Sequence, residues 1–225
     1  MKIINIEAFP IRVPLVKPIV MSHITVHQSD NVLVKVTTDD GVVGWGEGVE
    51  ATDLTGETQA SIRSAIEFIG AQIVGEDPMR RTSLWADMNK MMFSNDTAVG
   101  AIDIALHDIA GKALGVPVAE LLGGIARRSV PALTMVGSGV PATDIETARS
   151  KYDSGYRWFK VKLGIGDISD ELETVRGIRA ALPPDAVVSG DANQGWSEQQ
   201  AIRFLRGLDG LDVRFIEQPI RQGDH

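Results

Sequence analysis

The feature that most constrains this chain is a steady alternation of short apolar runs and amphipathic segments after Gly124. The runs predict strands at residues 131–136, 158–163, 186–191 and 213–217. The segments between them predict helices near residues 143–152, 169–181 and 197–208. Alternating strands and helices indicate a parallel sheet with crossover helices. Four such strands form either a small open sheet or half of an eight-stranded barrel.

The residues before this alternation predict strands followed by helices, as in an α+β domain. Asp40-Gly41 offers a tight turn between two runs with strand character, which favours a β-hairpin. Apolar residues at helical spacing then predict helices over residues 62–73 and 97–114. The two domains that we expect are residues 1–125 and 126–225.

The composition excludes several classes of function. The formal net charge is −8, without the clustered Lys and Arg that a nucleic-acid partner requires. The chain has no cysteine, so disulfides, thiolate metal sites and a thiol nucleophile are excluded. We find neither a signal peptide nor an apolar stretch of the ~20 residues needed to cross a bilayer. We therefore expect a soluble cytoplasmic protein with no membrane partner.

Charged residues lie at the ends of three consecutive predicted strands. Lys160 and Lys162 are two residues apart on one strand, so their side chains leave the same face. Asp191 closes the next strand, and Glu217 closes the one after it. In a parallel sheet all carboxyl ends lie at one edge, where active sites form. The sequence therefore predicts two ammonium groups and two carboxylates at one site.

This combination suits the removal of a proton next to a carboxylate. Such a carbon acid is very weak, so the enediolate that forms must be stabilised as its charge develops. Carboxylate oxygens are hard ligands that hold Mg²⁺, and the ion neutralises charge on substrate oxygens. A lysine serves as the base when nearby positive charges favour its neutral form.

Several motifs resemble the mandelate racemase and muconate lactonizing enzyme family of the enolase superfamily. The three motifs at the strand ends are Phe159-Lys160-Val161-Lys162, Asp191-Ala192-Asn193-Gln194-Gly195-Trp196 and Glu217-Gln218-Pro219. The upstream motifs are Gly44-Trp45-Gly46-Glu47, residues 101–108 and Leu121-Leu122-Gly123-Gly124. The resemblance implies an α+β N-terminal capping domain followed by a (β/α)7β TIM-type barrel. This chain would contain about the first half of that barrel.

The resemblance also implies roles for individual residues. Lys162 would be the base on one face of the substrate carbon, and Lys160 would help to hold the substrate carboxylate. Asp191 and Glu217 would be two of the three Mg²⁺ ligands. Asn193 would contact substrate or steady the metal site, unless it only makes a turn. His23 lies in a loop that covers the substrate in the family, so it is either a specificity residue or a plain exposed histidine.

Trp196 and the glycines at 164 and 166 are not assigned a role in the chemistry. Trp196 is most simply a core or lid-packing aromatic side chain. The glycines at 164 and 166 lack the remaining spacing of a phosphate-binding loop.

The same resemblance predicts groups that would follow Glu217. A third carboxylate would come about one strand–helix unit later, and a second acid/base group would lie on a later strand. We therefore expect the full gene product to be longer than these residues, and the 225-residue chain alone to be inactive.

The predicted function is a Mg²⁺-dependent racemase, epimerase or cycloisomerase that acts on a small carboxylate substrate, in a homo-oligomer. One alternative is a sugar-acid or hydroxy-acid dehydratase of the same superfamily. Another is a truncated, inactive family member that only binds or assembles. The residues above leave the substrate and the choice among these reactions open.

Overall fold

The structure, a computed structural model, describes residues 1–20, 24–221 and 223. Its contacts divide the chain into two units. The first unit is Met1–Val16 with His27–Arg128, and the second is Lys17–Val26 with Ser129–His225. No helix within the described ranges is both long enough and apolar enough to cross a membrane.

The first unit contains most of a three-stranded sheet. Its strands are β1 (Ile3–Val20), β2 (Thr25–Thr38) and β3 (Val43–Val49), in the order β1-β2-β3. β2 and β3 are antiparallel, with Asn31 opposite Val49 and Thr37 opposite Val43. The β-hairpin predicted around Asp40-Gly41 is therefore confirmed.

Helices follow this sheet and supply the other half of its core. They are α1 (Gln59–Ile73), α2 (Arg81–Met91), α3 (Asp96–Leu114) and the short α4 (Val118–Leu121). The helices predicted over 62–73 and 97–114 are α1 and α3, and the apolar residues that predicted them are buried. The sequence did not reveal α2, because only Leu84 and Met88 of that helix are buried and its apolar period is weak.

Three glycines on one face of β3 allow α3 to approach the strand closely. A Cβ atom added at Gly44 would lie 2.1 Å from Ala105 O, and one at Gly46 would lie 1.9 Å from Ala101 O. A Cβ atom added at Gly48 would lie 2.9 Å from the side-chain Cγ2 of Thr97. Glycine at every second position is therefore required here, since a strand presents alternate residues to one face.

Side chains of α3 also hold β3, the last strand in the order of this sheet. Asp108 Oδ2 accepts a hydrogen bond from Trp45 N at 2.9 Å. Lys112 Nζ donates to Val43 O at 2.8 Å and to Asp108 Oδ2 at 2.7 Å. These bonds satisfy backbone groups that an edge strand otherwise leaves open to pairing with another chain.

The second unit contains a four-stranded parallel sheet. Its strands are β4 (Leu133–Val136), β5 (Trp158–Lys162), β6 (Val187–Asp191) and β7 (Ile216–Glu217), in the order β4-β5-β6-β7. The connecting helices are α5 (Pro141–Asp153), α6 (Ile168–Ala181) and α7 (Glu198–Gly207). All three strand pairs are parallel, which confirms the parallel sheet predicted from the alternating pattern.

Alternation along β5 separates the core from the site. Phe159 and Val161 are buried in the apolar core of this unit, which also contains Val175 and Phe204 of the helices. Lys160 and Lys162 occupy the alternate positions and leave the opposite face of the strand. The helices therefore cover one face of β5, and the other face carries the charged groups.

β7 is shorter than the strand predicted over residues 213–217. Only Ile216 and Glu217 pair with β6 as a ladder. Two further backbone bonds, from Arg214 N to Val188 O and from Gly190 N to Phe215 O, hold the preceding residues against β6. Among the described residues β7 has one neighbouring strand, β6. Its backbone therefore forms hydrogen bonds along one side, and the paired strand is shorter than the apolar run.

Candidate active site

The register of the parallel sheet places the predicted site residues in one row. Lys162 lies opposite Asp191 across β5 and β6, and Asp191 lies opposite Glu217 across β6 and β7. Lys160 is two residues before Lys162 on the same face of β5. The structure therefore brings together the four charged residues that the sequence singled out.

The side chains of this row form a continuous network. Lys162 Nζ donates to Asp191 Oδ2 at 2.9 Å and to Asn193 Oδ1 at 2.7 Å. Lys160 Nζ donates to Glu217 Oε2 at 2.6 Å and lies 3.7 Å from Asp191 Oδ2. Asp191 is the centre of the network, because both ammonium groups approach the same carboxylate oxygen.

Three of the four charged side chains in this network are largely buried. The Asp191 side chain is 4% exposed, and those of Lys162 and Lys160 are 9% and 18% exposed. Glu217 is more open, at 41%. Charges this far from water need partners, and here two positive and two negative groups neutralise one another. Removing one of them leaves another charge without its partner in a poorly solvated place.

Unusual backbone conformations follow the two carboxylate-bearing strands. Asn193, Gln194 and Gln218 have positive φ angles of 45°, 63° and 43°. Asn193 N donates to Asp191 Oδ1 at 3.0 Å, and Gln194 N donates to Gln218 O at 2.8 Å. Asparagine tolerates this region, whereas glutamine adopts it less readily. Such conformations cluster at functional sites, and only the asparagine gave a sequence signal.

The carboxylates of the row meet the chemical requirements of a hard divalent cation. Asp191 Oδ2 and Glu217 Oε2 lie 3.7 and 2.6 Å from Lys160 Nζ, so both carboxylates lie within 4 Å of the same cationic group. Mg²⁺ is commonly held by one or two carboxylates, with water and substrate completing its shell. Within residues 1–20, 24–221 and 223, no group of three or more His, Asp or Glu side chains is placed to hold a metal.

One predicted site residue cannot be compared with the rest. His23 lies outside the described residues, so its assignment as a substrate-binding residue stays a prediction. Asn193, the other residue assigned to substrate binding, contacts Lys162 directly.

Two protein-family models match the chain. The model described as the N-terminal domain of mandelate racemase / muconate lactonizing enzyme matches residues 3–123. The model described as enolase C-terminal domain-like matches residues 144–225.

Individual relatives are similar along nearly the whole chain. An N-succinyl-L-Arg/Lys racemase from Bacillus cereus is 32% identical over 226 residues, and its crystal structure superposes with a TM-score of 0.95. A chloromuconate cycloisomerase from Cupriavidus necator is 36% identical over 224 residues, which cover 98% of this chain.

A third similar protein was crystallised with ligands. A dipeptide epimerase from Cytophaga hutchinsonii, complexed with Mg and the dipeptide D-Ala-L-Val, is 27% identical and has a TM-score of 0.92, with 98% of this chain covered. The chain spans 61% of the racemase and 60% of the cycloisomerase and of the epimerase.

Proposed function

Because this chain belongs to the mandelate racemase/muconate lactonizing enzyme family, we propose that the protein is a Mg²⁺-dependent isomerase. It abstracts the α-proton of a small carboxylate substrate, in a racemase, epimerase or cycloisomerase reaction. The observation that carries the proposal is the row of two lysines and two carboxylates at the carboxyl ends of β5, β6 and β7. The three relatives described above are named as a racemase, a cycloisomerase and an epimerase.

The proposal includes a finer assignment of the fold. Residues 1–125 form the capping domain, and residues 126–225 supply the first four strands of a (β/α)7β barrel. The parallel order β4-β5-β6-β7 with intervening helices supports this assignment. The ranges of the two matching family models, 3–123 and 144–225, are also consistent with it.

Asp191 and Glu217 are the residues that would hold Mg²⁺. When bound, the ion supplies positive charge that stabilises the substrate oxygens as the α-proton leaves. The fit rests on two hard carboxylates that approach a common cation, Lys160 Nζ, in this structure. The crystallised dipeptide epimerase contains Mg, which supports the same choice of metal.

Residues of the chain itself transfer the proton and bind the substrate. In its neutral amine form, Lys162 Nζ accepts the α-proton, and the electron pair of the broken C–H bond moves into the substrate carboxylate to give an enediolate. Asn193 Oδ1 and Asp191 Oδ2 orient Lys162 Nζ through bonds of 2.7 and 2.9 Å. Lys160 neutralises and binds the substrate carboxylate. Asn193 and His23 are the proposed substrate-binding residues.

Exchange of the substrate α-proton with solvent tests this function. We expect the full-length protein in deuterated buffer with MgCl₂ to incorporate deuterium at the α-carbon of dipeptides or N-succinyl amino acids, measured by proton NMR. Lys162→Ala removes the proton acceptor, so the exchange rate should fall by about 10²–10⁴-fold.

The matched control is Lys90→Ala, which removes an exposed lysine of α2 and should exchange at the wild-type rate. Wild-type exchange that survives Lys162→Ala would assign the proton transfer to another group. If the full-length wild-type protein exchanges none of these substrates, the activity proposal fails and the binding-only alternative takes its place.

Two further expectations are part of the proposal. We infer a homo-oligomer from the family resemblance, and we propose a cytoplasmic location. Size-exclusion chromatography with light scattering tests the first of these.

A further inference from the structure

The loops that follow β5 and β6 contact each other backbone to backbone. Leu163 N donates to Asp191 O at 2.9 Å, directly beyond the last paired residues of the two strands. A Cβ atom added at Gly164 would lie 2.3 Å from Ala192 O, and one at Gly195 would lie 2.5 Å from Gly164 O. One of these loops follows Lys162, and the other carries Asn193. Their contact therefore joins the two halves of the site.

A buried carboxylate bridges the same two loops. Glu171, in the first turn of α6, is 7% exposed. Its Oε1 accepts hydrogen bonds from Ile165 N at 2.8 Å and Gly166 N at 3.0 Å in the loop after β5. Its Oε2 accepts a bond of 3.0 Å from Trp196 Nε1 in the loop after β6. One side chain thus holds both loops.

The partners of Glu171 explain why a charged group is buried there. No lysine, arginine or histidine among the described residues forms a salt bridge with it. Three N–H donors meet its charge instead, and hydrogen bonds to a charged acceptor are stronger than neutral ones. The donor from the loop after β6 is itself fixed, because Trp196 is 4% exposed and its ring lies 4.4 Å from that of Phe204.

We propose that Glu171 is a positioning residue, which locks the loops after β5 and β6 together and thereby sets the separation of Lys162 from Asp191 and Asn193. The catalytic part of this inference rests on the proposed function. Proton transfer needs the base held close to its productive position, and small displacements reduce rates strongly. Glu171 touches none of the proposed reacting groups, so it would act only through the loops that it joins.

Replacing Glu171 by glutamine tests the lock with little change in size. Glutamine has one acceptor oxygen, and its NH₂ group must then face either Trp196 Nε1–H or the amides of Ile165 and Gly166. At least one N–H donor is then left facing another donor. We expect Glu171→Gln to shift the Trp196 indole N–H resonance and to speed hydrogen exchange of the Ile165 and Gly166 amides at least tenfold.

The double variant Glu171→Gln/Trp196→Phe distinguishes positioning from general stability. Phenylalanine removes the indole donor, so the glutamine oxygen can turn to the two amides while its NH₂ group faces the ring. We expect kcat for α-proton exchange to fall about 10–100-fold in Glu171→Gln with KM changed less than threefold, as for a displaced base. The kcat of the double variant should be at least threefold higher than that of Glu171→Gln.

Glu173→Gln is the matched control, since Glu173 is exposed on the same helix and loses the same charge. It should leave the exchange rate, the indole resonance and the amide protection unchanged. The proposal would be overturned if kcat for α-proton exchange were lower in the double variant than in Glu171→Gln. It would also be overturned if Glu173→Gln lowered kcat as much as Glu171→Gln does. Unaltered amide exchange in Glu171→Gln would overturn it as well.

Failure of the proposed function has a different signature. A wild-type protein that exchanges no α-proton refutes the proposed activity, and with it the catalytic part of this inference. The indole and amide measurements still decide whether Glu171 locks the loops, because they require only the folded chain.

Discussion

Asp191 is the residue on which the charges of the site converge. Its Oδ2 lies 2.9 Å from Lys162 Nζ and 3.7 Å from Lys160 Nζ, while its Oδ1 accepts a bond from Asn193 N. The side chain is 4% exposed, so water does little to replace these partners. One carboxylate therefore holds both lysines and the turn that follows β6.

Asp191→Asn tests this arrangement, because it preserves the shape of the side chain and removes its charge. Breaking a buried ion pair by removing one partner is strongly destabilising, and we expect the free energy of unfolding to fall by about 3 kcal/mol. Urea denaturation at pH 7 measures the change. The control is Asp153→Asn, an exposed residue of α5 that should alter stability little.

Added Mg²⁺ gives the same variant a second readout. A ligand that binds only the folded protein stabilises the wild type by about 2.7 kcal/mol at 100 times its Kd. Asp191→Asn should lose most of this increment, and Asp153→Asn should keep it. Equal stabilisation of both variants would remove Asp191 from the proposed metal site.

At the scale of elements, the approach of β3 to α3 organises the first unit. Gly44 and Gly46 of β3 face the backbone carbonyls of Ala105 and Ala101, so backbone contacts backbone where larger side chains would separate the two elements. Interiors are closely packed, and they relax only partly around an added atom. Gly46 is the tightest of these contacts.

Gly46→Ala is therefore expected to be strongly destabilising. Its Cβ would lie 1.9 Å from Ala101 O, and the backbone must move to make room, at a cost of about 3 kcal/mol. Thermal or urea unfolding measures this. Gly100→Ala in α3 is the matched control, since nothing lies within 4 Å of its added Cβ. It should stabilise the protein by up to about 1 kcal/mol through helix propensity.

At the scale of the whole molecule, the chain is acidic, with a formal net charge of −8. Its free energy of unfolding depends on whether its carboxyl groups are ionised or protonated. Hydrogen bonds hold the pKa values of several carboxyls below the usual range. The affected residues and their largest causes are Asp30 with Arg12, Asp40 with Thr38, Asp167 with Ser169 and Asp185 with Tyr152. A pKa lowered by folding contributes stability above the unfolded pKa, and this contribution disappears as the pH falls through the folded pKa.

Tyr152→Phe isolates one such contribution. Tyr152 Oη donates to Asp185 Oδ1 at 2.7 Å, and this bond is the first cause of the lowered pKa of Asp185. Phenylalanine keeps the ring that lies 3.9 Å from the Arg157 guanidinium. The variant should be less stable than wild type at pH 7, and the difference should shrink below pH ~4 as Asp185 becomes protonated.

Urea midpoints at pH 7 and pH 3 measure this difference. Tyr156→Phe, which changes the only other tyrosine of the chain, should show no such dependence on pH. A difference for Tyr152→Phe that is equal at both pH values would show that the hydrogen bond does not act through the ionisation of Asp185.

Much of the second unit was predictable because its signals are local. The two-residue period of a strand placed Lys160 and Lys162 on one face, and the helix predicted near residues 197–208 is α7, Glu198–Gly207. β7 was predicted too long, because an apolar run shows which residues can extend and not how many find a neighbouring strand. α2 was missed because few of its residues face the core.

The sequence by itself determined the order of the strands and helices after Gly124, the alternation along β5 and the edge at which Lys162, Asp191 and Glu217 meet. Each of these follows from a short repeat of two or 3.6 residues, which is local to the chain. The tertiary structure alone decided that Lys162 lies directly opposite Asp191 and that Glu171 bonds to Trp196, 25 residues away. Such contacts depend on how loops and helices pack after the sheet has formed, and no local period encodes that packing.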